Sequence, residues 1–111
     1  MRISILTTST PLHRMGGTEV HAETLAKAAA AEGHEVTIIT TSHPREKPSE
    51  KKDGYVVIYL PGTNFEMSRR HLKAWWEQSA AKLAELHKAG AVDVVWAAAV
   101  WVAVVWAAVA D

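Results

Sequence analysis

The sequence predicts an α/β fold: a doubly wound, mostly parallel sheet with helices on its faces. Three observations carry that prediction. Short β-prone runs alternate with longer segments rich in helix formers. The runs are short and rich in Ile, Val and Leu, which suits strands covered on both faces. A glycine, Gly33 or Gly90, closes each helical segment, where a left-handed cap is expected.

Residues 3–8 alternate and read as the first strand. Residues 9–17 hold Pro11 and two glycines and read as a loop. Residues 18–32 are rich in Ala, Leu, Glu and Lys and read as a helix. Its alanines either bring the helix close to the sheet or serve helix propensity alone. Residues 36–41 (VTIITT) and 55–60 (YVVIYL) are two further strands. Between them, residues 42–54 are charged and carry two prolines, so they read as a solvated loop. Leu72, Trp76, Ser79, Leu83 and Leu86 recur at helical spacing and predict an amphipathic helix over 68–88. Residues 92–96 are a candidate fourth strand. The order is β-α-β-β-α-β followed by an apolar tail, which divides the chain into a domain over 1–96 and a tail over 97–111.

At 111 residues the chain holds one domain. Its 12 basic and 12 acidic residues balance, which argues against a nucleic-acid partner. With no cysteine, disulfides and thiolate metal sites are excluded. The apolar run at residues 3–6 is too short for a secretory signal, and the expected location is the cytoplasm.

The segment with most chemical content is Arg14-Met15-Gly16-Gly17-Thr18-Glu19. It joins the end of the first strand to the start of the first helix. In open α/β sheets ligands sit outside the carboxyl ends of the strands. A helix start offers free backbone N–H groups and a partial positive charge. Two glycines there let a phosphate or hydroxyl approach the backbone, and Thr18 is a candidate N-cap. A plain loop-to-helix turn explains the pair equally well. Neither the dinucleotide fingerprint nor the P-loop is met.

The wider pattern is more specific. Gly16-Gly17-Thr18-Glu19-Val20-His21 precedes Glu32-Gly33-His34-Glu35-Val36-Thr37, with Leu60-Pro61-Gly62 and Val92-Asp93-Val94-Val95 beyond. This combination resembles the N-terminal domain of GT-B glycosyltransferases of the family 4 type, over residues 1–96. The resemblance implies a Rossmann-like, acceptor-side domain facing a donor-binding domain across a cleft, with a nucleotide-sugar donor and an acceptor as partners. It implies a retaining transfer that needs no metal or other cofactor. It carries Gly16 and Gly17 over as the approach to the donor phosphates, with Thr18 and Glu19 beside them. The family often places a His after the fourth strand. Trp96 and Ala97 stand there instead, so no catalytic residue is assigned. On this reading the donor domain lies outside these residues, and the fragment alone is expected to be inactive.

His13 lies in the same loop and is a further candidate ligand contact. The other histidines, His21, His34, His43, His71 and His87, show no metal-ligand spacing, and no metal site is expected. Trp75 and Trp76 offer a sugar-stacking platform, but Trp76 falls on the apolar stripe and is expected in the core.

Residues 94–110 are all Ala, Val or Trp, with Trp96, Trp101 and Trp106 five apart. A step of five fits neither a helical face nor a strand face. The run is near the lower limit of about 17 residues for a membrane span. The run reads as a fourth strand plus a buried helix, as a membrane anchor, or, favoured by its three-letter alphabet, as an engineered replacement of another segment, and self-association or membrane contact through it is expected. Two other functions stay open from the residues: a non-enzymatic or designed α/β scaffold that pairs through the tail, and a flavodoxin-type domain using Thr7-Thr8-Ser9-Thr10 as a phosphate loop.

Overall fold

The computed structural model describes residues 1–7, 17–63 and 69–97. The elements run β1 (Arg2–Leu6), α1 (Gly17–Ala31), β2 (Glu35–Thr40), β3 (Ser49–Lys51), β4 (Tyr55–Tyr59), α2 (Arg69–Lys88) and β5 (Val94–Ala97). The five strands form one sheet in the order β3-β4-β2-β1-β5. β1 lies parallel to both β2 and β5, and β2 lies parallel to β4. The expected Rossmann-like, mostly parallel sheet is therefore present. The strand order reverses at β1, so the switch point lies between β1 and β5.

Strand alternation sends successive side chains to opposite faces. Ile5, Val36, Ile38, Tyr55 and Val57 meet Ala22 and Ala26 of α1 on one face. Leu6, Ile39 and Leu60 meet Trp75 and Leu83 of α2 on the other. Each large apolar side chain buried this way stabilises the fold by about 1.5–3 kcal/mol.

The alanines of α1 do more than favour a helix. Ala22 and Ala26 are fully buried against the sheet. At the far end, a Cβ placed on Gly54 would lie 3.1 Å from the Ala30 Cβ. Gly54 also has φ +82°, which L side chains rarely adopt. Small residues on both partners thus let helix and strand meet.

Both helices end in the same motif. His34 N–H donates to the Ala29 carbonyl at 3.2 Å and Gly33 N–H to the Ala30 carbonyl at 3.0 Å. Ala91 and Gly90 repeat this with Leu86 and His87. This is the cap in which a left-handed glycine satisfies the last carbonyls. Gly33 (φ +91°) and Gly90 (φ +69°) supply it, as the sequence predicts.

Two expectations are corrected. Residues 42–54 are not wholly loop, because Ser49–Lys51 pairs antiparallel with β4 as a short edge strand. Its charged, three-residue sequence carries almost no β signal, yet suits an exposed edge that resists further pairing. In α2 the tryptophan roles are exchanged. Trp75 is 0% exposed and Trp76 is 38% exposed. The buried face runs through Trp75, Ser79 and Leu83, four residues apart, so Trp76 falls one step outside it.

Candidate functional site

The carboxyl edge of the sheet gathers the polar residues. β1 ends at Leu6, followed by buried Thr7, whose N–H extends the ladder to the Ile39 carbonyl at 3.1 Å. β2 ends in buried Thr40, opposite Tyr59 of β4. The Thr40 hydroxyl has no hydrogen-bond partner among the described residues. α1 closes at Gly33 just before the amino end of β2, so its first residue, Gly17, opens on this same carboxyl edge. Across the switch point, the His21 ring packs on Trp96 with centroids 5.5 Å apart.

The structure reaches only part of the sequence-predicted site. Gly17, Thr18 and Glu19 form the first turn of α1, whose N–H groups have no intrahelical acceptors. The helix begins at Gly17, so Thr18 lies inside the first turn rather than before it. His13 and Gly16 lie outside the described residues, as do 98–111 of the tail.

A second part of the edge was not signalled as a site. A pocket of about 680 Å³ opens between the segment after β2 and the turn after β4. Ser42, His43, Glu46 and Lys47 line one side, and Tyr59 and Thr63 the other. Gly62, in the turn after β4, lines it as well.

Hydrogen bonds fix its walls. Ser42 N–H donates to Thr63 Oγ1 at 3.1 Å, and Ser42 Oγ–H donates to the Thr63 carbonyl at 2.7 Å. Thr63 Oγ1 in turn donates to the Leu60 carbonyl at 2.8 Å. The buried His43 ring stands edge-on to the Tyr59 ring, with centroids 4.9 Å apart. Arg45 N–H donates to His43 Nδ1 at 2.9 Å, which leaves the proton of the neutral ring on Nε2. Nε2 faces Glu50 Oε1 at 3.3 Å.

Glu50 is the hub. It accepts the Tyr59 hydroxyl at 2.7 Å, while Lys47 and Lys52 approach its other oxygen at 3.8 Å. The Tyr59 hydrogen bond, then Lys52, Lys47 and His43, hold its carboxyl below the ordinary range, against partial burial. Burial, then the Glu50 hydrogen bond, push the Tyr59 phenol well above its ordinary value. No metal-ligating group of three or more side chains occurs among the described residues. In the sequence these residues looked like strand interior (Tyr59) and solvated charge (Glu50). The available signal was proline placement: Pro44, Pro48 and Pro61 flank the same space.

The family model described as Glycosyltransferase Family 4 matches residues 15–110 of the chain. The chain belongs to glycosyltransferase family 4. An uncharacterised 42.6 kDa protein of the cps region of Klebsiella pneumoniae is 31% identical over 64 residues, covering 58% of this chain and 17% of that protein. Sucrose-phosphate synthase from Thermosynechococcus elongatus shares the fold, with a TM-score of 0.68 at 17% identity. That likeness covers 86% of this chain and 26% of the synthase. The family 4 domain seen here thus spans about a quarter or less of these relatives' lengths. No helix of its described residues is long and apolar enough to cross a membrane.

Proposed function

We propose that this family 4 domain is the N-terminal, acceptor-side half of a retaining glycosyltransferase that moves a sugar from a nucleotide-sugar donor to an acceptor. The observation that carries the reading is the family match laid on a sheet whose carboxyl edge bears both a pocket and the start of α1. Gly16 and Gly17 let the donor phosphates approach the backbone. The N–H groups of Gly17, Thr18 and Glu19 and the positive end of α1 then face developing negative charge. His13 contacts the acceptor or a phosphate from the same loop. No metal or other cofactor takes part.

Transfer needs both walls of the cleft, because orientation and transition-state binding come from groups on each. The 111 residues alone are therefore proposed to be inactive. The domain is read as cytoplasmic, and the apolar tail 97–111 as its surface for self-association or membrane contact.

The test is Gly17→Val in a polypeptide carrying this domain together with a donor-binding domain. The added side chain should lower kcat/KM for the donor at least tenfold, about 1.4 kcal/mol of transition-state binding. Unchanged transfer would remove the phosphate-approach role. Transfer from UDP-glucose or GDP-mannose by the 111-residue chain alone would overturn its proposed inactivity.

A further inference from the structure

We propose that the pocket between the segment after β2 and the turn after β4 binds a neutral, hydroxyl-rich group, a sugar ring, through Glu46 and Lys47. The inference rests on the acceptor-side reading above and gives the acceptor a chemical class and a seat.

Four observations point there. The pocket holds about 680 Å³, within the roughly 300–1,000 Å³ range of small-molecule sites. It lies outside the carboxyl ends of β2 and β4, the edge on which open α/β sheets bind ligands. Its walls are set before any ligand arrives. Three of the chain's four prolines, Pro44, Pro48 and Pro61, line it with fixed φ. The Ser42–Thr63 and His43–Glu50–Tyr59 contacts lock those walls together. Finally, Glu46 lines the pocket with φ 55°. It is the single described non-glycine residue in the left-handed region, an uncommon conformation for Glu, held by a turn in which its N–H donates to the His43 carbonyl at 2.9 Å.

The charges select the ligand. Glu46 brings a carboxylate and Lys47 an ammonium to the same space. Lys47 is already shared with Glu50, whose carboxyl stands 3.8 Å away. An anion entering here would meet the Glu46 carboxylate beside a Lys47 ammonium already paired with Glu50 behind the wall. A neutral polyol meets no such penalty, because each hydroxyl both donates and accepts. Its donors suit Glu46, its acceptors suit Lys47, and its C–H face suits the proline rings.

Saturation-transfer NMR on the 111-residue chain tests this and tolerates a self-associating protein. The probes are methyl α-D-glucopyranoside, methyl α-D-mannopyranoside and glucose 1-phosphate. At least one methyl glycoside should bind, and more tightly than the phosphate. Glu46→Gly removes the carboxylate and suits the left-handed backbone, so it should keep or raise Tm while weakening binding at least fivefold. Lys47→Ala should weaken it similarly. Tighter binding of glucose 1-phosphate would overturn the neutral-ligand assignment. Absence of binding by all three probes would overturn the pocket as a sugar site. Unchanged binding in both variants would place the sugar elsewhere on the domain. None of these failures touches the donor-phosphate role, which the Gly17→Val assay reads separately.

Discussion

Tyr59 and Glu50 couple the pocket to pH. Glu50 is held below the ordinary carboxylate range chiefly by the Tyr59 hydroxyl. The folded state therefore binds this proton less tightly than the unfolded chain. The resulting stability is present above the unfolded value of about 4.3 and is lost as pH falls through the folded value. Asp93 adds in the same direction, through the Arg2 backbone N–H first and its side chain second. Tyr59→Phe removes the largest cause at Glu50 alone. The acid limb of a Tm-against-pH curve should then move upward, toward the ordinary carboxylate range, with the Asp93 share remaining. An acid limb identical to that of the parent would exclude Glu50 as a contributor. Tyr59 acts with the opposite sign at high pH. Its raised value means stability present below about pH 10 and lost as pH rises beyond it.

Helix α2 shows how adjacent residues of one type take different roles. Trp75 lies wholly within the core made by Leu6, Ile39, Leu60 and Leu83. Trp76 points partly to solvent. Trp75→Ala should cost about 3–5 kcal/mol in denaturant unfolding, the usual range for a large aromatic removed from a core. Trp76→Ala should cost less than about 1 kcal/mol. The reverse order would contradict the packing of α2. Both helix ends and all the longer strands were legible in the sequence, because glycine caps and continuous apolar runs are local signals. β3 was not. Three residues, Ser-Glu-Lys, become a strand only because β4 offers them a partner edge.

For the molecule as a whole, the switch point between β1 and β5 and the pocket beyond β2 and β4 share one edge of one sheet. On the proposed reading, an acceptor seated in that pocket would lie on the side where α1 begins. That arrangement suits a domain that forms one wall of a cleft. The tail poses a separate question of association. Trp101 and Trp106 follow Trp96 in a run free of charge until Asp111. Each Trp carries about 150–250 Å² of surface, so their exposure would create a large apolar patch. The 111-residue chain should therefore sediment as more than a monomer at high concentration in analytical ultracentrifugation. A single monomeric species across a wide concentration range would refute self-association through the tail.

The sequence by itself determined the fold class, the family resemblance and the segment that opens α1. Those properties depend on residue order within a few turns: period, caps, and the spacing of Gly16-Gly17-Thr18-Glu19 from the residues after Gly33. The tertiary structure alone decided that Trp75 and not Trp76 is core, and that a charged loop contributes an edge strand. It also decided that His43, Glu50 and Tyr59 meet behind one pocket. The physical reason is separation along the chain. Glu50 lies nine residues from Tyr59, and Ser42 twenty-one from Thr63. The antiparallel pairing of β3 with β4 brings Glu50 to Tyr59, the parallel pairing of β2 with β4 brings Ser42 near Thr63, and no local pattern records a contact made across two strands.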